Sequence, residues 1–253
     1  MELKNQVVLV TGGSRGLGAE TVKAFAREGA RVVINYFQSE EKARQLAEEI
    51  GDAALAVQAD VRNSEQVLSM LRKAKEHFGT PITTIVNNAL ISFKFDPVAK
   101  KDAFSIGWED YQLQLEGSIR GALNTIQAGL QDMETMKFGR IINIGTNLFQ
   151  NPVVPYHDYT TSKAALLGFT RNMANDLGKY GITVNMVSGG LLKTTDASSA
   201  TSEEVFQLIQ SSTPLRKVTD PAEAADAIVF FASPWGRAVT GQNLVVDGGL
   251  VMD

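Results

Sequence analysis

The stretch Val7-Val8-Leu9-Val10-Thr11-Gly12-Gly13-Ser14-Arg15-Gly16-Leu17-Gly18 decides the fold, because it joins a strand to a helix through a glycine-rich turn. Its apolar start suits a buried strand, and Val22, Phe25 and Ala26 after the turn form an apolar stripe at helical spacing. A strand, a tight turn and an amphipathic helix in this order predict a sheet that carries helices on its faces.

Short runs rich in Val and Ile alternate with helical patterns along the rest of the 253 residues. These runs do not alternate with polar residues, which is typical of parallel strands buried on both faces. The sequence therefore predicts an α/β fold, a single doubly wound domain over residues 1–253 with a seven-stranded parallel sheet and helices on both faces. The predicted strands are Val7–Val10, Arg31–Asn35, Ala53–Gln58, Ile82–Asn87, Arg140–Ile144, Ile182–Val187 and Asn243–Val246.

The composition excludes several classes of function. A formal net charge of −4 argues against a nucleic-acid-binding surface, which needs a basic excess. The chain has no cysteine for a disulfide, a thiolate nucleophile or a zinc site, and neither histidine has metal-ligand neighbours. The N-terminal residues lack a signal-peptide pattern, and no apolar run reaches the length of a bilayer. We therefore expect a cytoplasmic protein that binds no metal, no membrane and no nucleic acid.

The glycine-rich turn predicts a dinucleotide site. Free N–H groups and the dipole at the start of a helix favour an anion, and glycine lets the backbone approach a pyrophosphate closely. The spacing of Gly12, Gly16 and Gly18 differs from the more common Gly-x-Gly-x-x-Gly. Turns of this kind also occur for structural reasons alone, so the prediction needs support from elsewhere in the chain.

Cofactor choice depends on the end of the second strand. Asn35 and Tyr36 stand where an NAD site usually has an acid for the ribose 2′-hydroxyl, and Glu40 and Glu41 come only later. Arg15 lies inside the glycine turn, where a guanidinium can pair with a 2′-phosphate. We therefore predict NADP(H) rather than NAD(H), with a solvated loop charge as the alternative for Arg15.

Polar residues follow the third and fourth strands. Asp60-Val61 places a carboxylate where it can meet an adenine amino group, and Asn87-Asn88-Ala89 follows the next strand. Asparagines at strand ends also serve to satisfy loop backbone groups, and for Asn88 this alternative has equal weight. The irregular stretches 90–107 and 191–201 follow strand ends too, so they either shape a substrate pocket or are ordinary surface loops.

Tyr159 and Lys163 are the candidate catalytic pair. Residues four apart on a helix share a face, with Cβ atoms about 5–6 Å apart. An ordinary tyrosine has a pKa of about 10, and a nearby ammonium favours the phenolate; lowering the pKa by ~3 units takes roughly 4 kcal/mol. Tyr-x-x-x-Lys is common by chance, so the pair is informative because the glycine turn accompanies it.

Together these motifs resemble the short-chain dehydrogenase/reductase family, nearly from end to end. Within that family the segments 139–145 and 181–185 are most similar to bacterial 3-oxoacyl-acyl-carrier-protein reductases. The resemblance implies a Rossmann fold and an NADP-dependent oxidoreductase of fatty acid biosynthesis that reduces a 3-oxoacyl thioester, on acyl carrier protein or CoA. The matching segments are Thr11–Gly18, Asp60-Val61, Asn87–Ala89, Tyr159–Lys163, Thr194 and Val239–Gly249.

The resemblance also implies roles for single residues. Tyr159 is the general acid in reduction and the base in oxidation, and Lys163 lowers its pKa and holds the nicotinamide ribose. Thr146 stands where the family has a serine that polarises the substrate carbonyl. Segment 191–212 covers the substrate. The implied cofactor-binding residues are Gly12, Ser14, Arg15, Gly16, Leu17, Gly18, Asn35, Tyr36, Asp60, Val61, Asn87, Ala89, Tyr159, Lys163, Gly190 and Thr194.

Three positions depart from the family pattern. Alignment through Trp108 puts Leu115 where the family has an asparagine of a water relay, and Leu90 and Gly189 stand where glycine and proline are usual. These departures predict either a relay rebuilt from other groups or a slow enzyme. If proton supply limits turnover, we expect Leu115→Asn to raise it.

Other functions and partners stay open at this point. An alcohol or sugar dehydrogenase of the same family is one alternative, and a nucleotide-binding member with weak catalysis is another.

The family is usually a homotetramer, built from helices near Trp108 and Tyr156, and the stripe Ile119–Leu130 is either core or part of such an interface. An acyl carrier protein is acidic and needs a basic docking patch, for which solvated surface is the alternative reading. The candidates are Lys94, Lys100, Lys101, Lys137 and Lys179.

Overall fold

The structure is a computed structural model that describes residues 1–193 and 195–252. Its strands are β1 (Val7–Val10), β2 (Arg31–Tyr36), β3 (Ala54–Gln58), β4 (Thr84–Asn87), β5 (Gly139–Thr146), β6 (Ile182–Gly189) and β7 (Asn243–Val246). They pair in parallel in the order β3-β2-β1-β4-β5-β6-β7. The predicted seven-stranded parallel sheet is confirmed.

Some strands begin or end at other residues than the sequence predicts, because hydrogen bonding to the neighbouring strand and not the apolar run alone sets their ends. β5 and β6 pair along their whole lengths, from Gly139 beside Ile182 to Thr146 beside Gly189, so both strands run further than their apolar runs. β4 begins two residues later than expected, and the side chain of Thr83 just before it accepts a hydrogen bond from the Val7 N–H at 3.1 Å. These shifts change the ends of the strands but not their number or order.

Helices connect the strands and cover both faces of the sheet. They are α1 (Gly16–Arg27), α2 (Glu40–Ile50), α3 (Ser64–Phe78), α4 (Trp108–Leu115), α5 (Gly121–Met136), α6 (His157–Leu177), α7 (Glu203–Ser212) and α8 (Pro221–Ala232). A π-helical turn, Glu116–Arg120, joins α4 to α5. No helix of the described residues combines the length and apolar character needed to cross a bilayer.

The two faces of the sheet carry separate apolar cores, because successive strand residues point to opposite sides. On β1, Val8 and Val10 pack with residues of α1, α2 and α8. Val7 and Leu9 pack on the other face with residues of α3, α5 and α6. Every residue of β1 is thus buried, which explains its continuous apolar run.

The site lies where the strand order reverses. From β1 the chain first builds β2 and β3 on one side and then returns to place β4 on the other side of β1. The helical connections diverge at this point and leave a crevice beyond the carboxyl ends of the strands, which is where open α/β sheets bind ligands. The residues that follow β1, β4 and β5 therefore face a shared space.

Candidate active site

The glycine turn has the backbone geometry that its sequence demands. Gly12 and Gly16 have φ angles of +62° and +53°, in the left-handed region that favours glycine. A Cβ on Gly18 would collide with the carbonyl oxygen of Gly12, so only glycine lets the helix start this close to the turn. At the first turn of α1, Arg15 supplies no side-chain cap in the described chain. This cradle fits a phosphate, which would accept from N–H groups that the helix leaves free.

Asparagines from the neighbouring strands hold this turn in place. The Gly12 N–H donates to Asn35 Oδ1 at 3.2 Å, and Asn88 Nδ2 donates to the Thr11 carbonyl at 2.9 Å. The Thr11 hydroxyl accepts from the backbone N–H groups of Asn88 and Ala89. The side chains of Asn35 and Asn88 therefore support the turn, which is the structural alternative that the sequence left open for Asn88.

Two other predicted cofactor residues also have protein partners. Both carboxylate oxygens of Asp60 accept hydrogen bonds from the guanidinium of Arg62, the shortest at 2.7 Å. That hydrogen bonding from Arg62 lowers the pKa of Asp60. The side chain of Asn87 donates to Asn143 Oδ1 at 2.9 Å and accepts from the Thr125 hydroxyl at 2.7 Å. The side chains of Asp60 and Asn87 are therefore already hydrogen-bonded within the protein.

Helix α6 brings the candidate catalytic pair together. Tyr159 lies in its first turn, and Lys163 follows one turn later on the same face, with Nζ 5.8 Å from the centre of the phenol ring. Lys163 Nζ donates to the Ile144 carbonyl of β5 at 2.8 Å. Thr146, the last residue of β5, hydrogen-bonds to the phenol of Tyr159. The three predicted catalytic residues therefore meet at the carboxyl end of β5.

The acidity of this pair differs from the sequence expectation. Burial raises the pKa of Tyr159 to about 12, and the hydrogen bond with Thr146 opposes this rise only in part. Burial also lowers the pKa of Lys163 to about 8. The expected fall in the tyrosine pKa is absent in this state because removal from water disfavours the charged phenolate. At neutral pH the phenol is protonated.

An aromatic cover, consisting of Phe93, Phe95 and Tyr156, accounts for this burial. The ring of Phe93 stacks on that of Tyr159 with centroids 4.4 Å apart and an interplanar angle of 15°. Phe95 meets Tyr159 edge-on at 5.4 Å, and Tyr156 packs edge-on against both phenylalanines. Tyr159 is consequently only 5% exposed. The cover was not predicted, although the two phenylalanines in the irregular stretch after β4 are visible in the sequence.

The loop after β6 approaches the site from the other side. A Cβ on Gly190 would lie 2.8 Å from the Cβ of Asp247, so glycine allows a close contact here. Asp247 in turn accepts from Asn147 Nδ2 at 2.9 Å. Gly189 ends β6, and Leu90 is half-buried. Thr194, the predicted contact to the nicotinamide, lies outside the described residues.

The predicted position of the missing asparagine has a different neighbour. Leu115 is half-buried at the end of α4, whereas the preceding residue, Gln114, is 2% exposed and donates through Nε2 to the Ile91 carbonyl at 3.1 Å. The π-helical turn that follows buries Ser118, whose hydroxyl lies 3.4 Å from that of Ser162. The buried polar side chains here are therefore Gln114, in the last turn of α4, and Ser118, in the π-helical turn; alignment through Trp108 identified neither.

Charged residues near the turn also pair in an unexpected way. Asp196 Oδ2 lies 2.9 Å from Arg15 Nη1 and 3.4 Å from Lys42 Nζ. Burial raises the pKa of the Asp196 carboxyl, but the hydrogen bond from Arg15 and the charge of Lys42 outweigh it and keep that pKa below its usual value. Neither Lys42 nor Asp196 was among the predicted site residues, because each is distant from the turn in sequence.

Some of the candidate docking lysines have other partners. Lys101 contacts both carboxylate oxygens of Asp110 at 2.7 Å, and Lys179 pairs with Asp176 at 3.2 Å. Lys94 is exposed and lies between Phe93 and Phe95 of the aromatic cover. Among residues 1–193 and 195–252, no group of three or more His, Cys, Asp or Glu residues could hold a metal ion.

Known proteins resemble the chain over almost its whole length. A family model described as enoyl-(acyl carrier protein) reductase matches residues 12–251. The chain is 36% identical to a 3-oxoacyl-acyl-carrier-protein reductase of Synechocystis sp., over 99% of this chain and 98% of that one. It is 32% identical to a protein of the same description from Vibrio cholerae, with all of both chains covered.

Two solved structures share the fold. A blue fluorescent protein from a metagenomic library, in complex with NADPH, is 34% identical with a TM-score of 0.85 over 100% of both chains. A dehydrogenase/reductase from Sinorhizobium meliloti is 31% identical with a TM-score of 0.87, over 99% of this chain and 97% of that one. The chain belongs to the short-chain dehydrogenase/reductase family of oxidoreductases.

Proposed function

We propose that the protein is an NADP(H)-dependent reductase that converts a 3-oxoacyl thioester, carried by CoA or an acyl carrier protein, into the 3-hydroxyacyl form. The observation that carries this proposal is the meeting of Tyr159, Thr146 and Lys163 beside a glycine turn that fits a phosphate. Relatives described as 3-oxoacyl-acyl-carrier-protein reductases, at 36% and 32% identity, support the substrate class.

The chain's own residues supply the proton and the polarisation. A bound nicotinamide nucleotide supplies the hydride that the carbonyl carbon receives. Tyr159, protonated at neutral pH, donates its hydroxyl proton to the carbonyl oxygen, so that hydride and proton together give the alcohol. Thr146 donates a second hydrogen bond to that oxygen. The Lys163 ammonium, anchored on the Ile144 carbonyl, stabilises the phenolate that remains after the proton has left.

The choice of NADP(H) rests on charge. Arg15 and Lys42 place two cations at the glycine turn and at the first turn of α2, and β2 ends in Asn35 and Tyr36 instead of an acid. A 2′-phosphate would find charge-assisted partners there. The NADPH bound to the similar metagenomic protein supports the same choice. The glycine turn, the ends of β3 and β4, and Gly190 would hold the rest of the nucleotide.

The test is reduction of acetoacetyl-CoA, followed by loss of the NADPH absorbance. Tyr159→Phe should lower turnover by about 100-fold or more, as expected when a positioned acid is removed, while NADPH still binds. Tyr180→Phe is the matched control, because this tyrosine lies in the turn after α6 and away from the aromatic cover. Full activity of Tyr159→Phe would refute the proposed role.

Other substrates in the same assay separate the alternatives. Reduction of crotonyl-CoA, but not of acetoacetyl-CoA, would point to an enoyl reductase, as the family model is described. Turnover of simple alcohols or sugars alone would favour a dehydrogenase of that kind. NADPH binding without reduction of any carbonyl would favour a member with weak catalysis.

The assembly, location and carrier of the substrate belong to the same proposal. A homotetramer would cover apolar surface on α4, where Trp108 is 66% exposed, and sedimentation would measure it. We place the enzyme in the cytoplasm. An acyl carrier protein would find Lys94 beside the aromatic cover, whereas Lys101 and Lys179 already pair with acids. Comparing acetoacetyl-CoA with the carrier-bound substrate tests whether docking contributes.

A further inference from the structure

The carboxylate of Asp196 forms ion pairs with Arg15 and Lys42, the two cations that the 2′-phosphate of the proposed cofactor would need. Arg15, Lys42 and Asp196 come from three separate parts of the chain, namely the glycine turn, α2 and the segment after β6. Both cations contact the same oxygen, Oδ2, at 2.9 Å and 3.4 Å. The cluster is therefore a single ion triad with a net charge of +1.

The triad lies directly over the nucleotide cradle. Arg15 immediately precedes Gly16, and a Cβ on Gly16 would lie 3.5 Å from the Cβ of Thr195, the neighbour of Asp196. Lys42 lies in the first turn of α2, the helix that follows β2, and the end of β2 contacts the glycine turn through the Asn35 side chain. A ribose bound at the end of β2 would present its 2′ position to this cluster.

Resting on the proposed use of NADP(H), we propose that Asp196 is a specificity-determining residue that weakens binding of the 2′-phosphate relative to the 2′-hydroxyl. A 2′-phosphate must displace the carboxylate from Arg15 and then remain near its negative charge. NADH carries no group that competes for the two cations. Asp196 thus limits the preference for NADPH that Arg15 and Lys42 create.

The size of the effect follows from exposure. The side chains of Arg15, Asp196 and Lys42 are 54%, 53% and 57% exposed, so water and salt weaken their attraction. Exposed ion pairs of this kind contribute up to about 1 kcal/mol, which corresponds to roughly fivefold in a dissociation constant. Neutralising Asp196 should therefore strengthen NADPH binding by about twofold to fivefold and leave NADH binding unchanged.

The experiment is a nucleotide titration of the whole, catalytically intact chain without substrate, using the fluorescence of NADPH and of NADH. Asp196→Asn should lower the Kd for NADPH alone, and the gain should shrink at high salt. Asp226→Asn is the matched control, because it removes a similarly exposed ion pair with Arg27, which lies at the end of α1 that is opposite the glycine turn. In an Arg15→Ala background, Asp196→Asn should have a smaller effect, since one of the two cations is gone.

The outcomes distinguish this inference from the proposed function. An unchanged Kd for NADPH in Asp196→Asn, with tight NADPH binding by the parent, overturns the inference alone. Weaker NADH binding in the variant also overturns it, because Asp196 would then accept from the ribose 2′-hydroxyl. If the parent and the Arg15→Ala variant both bind NADH more tightly than NADPH, the proposed cofactor and the inference are refuted together.

Discussion

Replacing Lys163 by methionine should stabilise the cofactor-free protein near neutral pH. The lysine is 4% exposed, and burial lowers its pKa from 10.5 to about 8. A lowered pKa means that the folded state holds the ammonium less favourably than the unfolded chain does. The buried ammonium of Lys163 therefore lowers the stability of the folded state, although its proposed role in the site requires it.

The magnitude follows from that difference and from one hydrogen bond. A shift from 10.5 to about 8 corresponds to roughly 3 kcal/mol at 1.36 kcal/mol per unit. Loss of the donor to the Ile144 carbonyl offsets about 1 kcal/mol. The methionine variant should thus be more stable by about 2 kcal/mol at neutral pH, which raises Tm by roughly 4–8 °C for a chain of this size.

The pH dependence provides the sharper test. Between pH 8 and 10.5 the unfolded lysine still binds its proton while the folded one has lost it, so the parent becomes more stable as pH rises. Above that window the lysine is neutral in both states, and the advantage of Lys163→Met should vanish. The window is wide enough to follow by urea unfolding at several pH values.

The assay compares urea unfolding of the parent and Lys163→Met without nucleotide. Lys73→Met, on the exposed side of α3, controls for a general effect of removing a surface lysine. Lower stability of Lys163→Met near neutral pH would refute the reasoning. So would an advantage that stays constant up to about pH 10, since the linkage would then be absent.

Three further substitutions test other parts of the structure. Phe93→Ala should let water reach Tyr159 and lower the pKa of its phenol toward the usual value of 10, which ultraviolet titration of the variant and the parent would detect. An unchanged titration would show that the stacked ring does not cause the shift. Gln114→Leu should reduce turnover more than Leu115→Asn changes it, because Gln114 is a buried polar side chain that donates to the Ile91 carbonyl. The reverse order in steady-state assays would favour the position chosen by alignment. Asn63→Ala removes the side chain that accepts hydrogen bonds from two N–H groups at the start of α3, so it should lower the free energy of unfolding by about 1 kcal/mol. An unchanged urea unfolding curve would contradict this expectation.

The sheet could be predicted because its signals are local. A strand buried on both faces needs a continuous apolar run, and each of the seven runs became a strand. The glycine turn was equally readable, because Gly12 and Gly16 adopt positive φ angles that other residues resist. Tyr159 and Lys163 meet because a helix places residues four apart on one face. In each case the geometry is set within a few residues of the chain.

What the sequence did not reveal depends on contacts between distant segments. The direction of the Tyr159 pKa shift follows from the aromatic cover, and Phe93 lies 66 positions before the tyrosine that it stacks on. Asp196 lies 181 positions after Arg15, and the local sequence around neither residue indicates the pair. Packing and electrostatics of this kind are properties of the assembled crevice, so periodicity and motif spacing cannot supply them.

These distant contacts also join the two ends of the crevice. Asp196 contacts Arg15 at the nucleotide turn, and the carbonyl of the next residue, Ala197, accepts from the Phe95 N–H at 2.9 Å. Phe93, two residues before Phe95, stacks on the ring of Tyr159. Aromatic stacking contributes about 0.5–1.5 kcal/mol and an exposed ion pair no more than about 1 kcal/mol. Each contact is weak enough for a nucleotide or a thioester to displace. Because the hydrogen bond between Phe95 and Ala197 joins the segment of the ion pair to the segment of the stacked ring, we expect displacement of either contact to weaken the other.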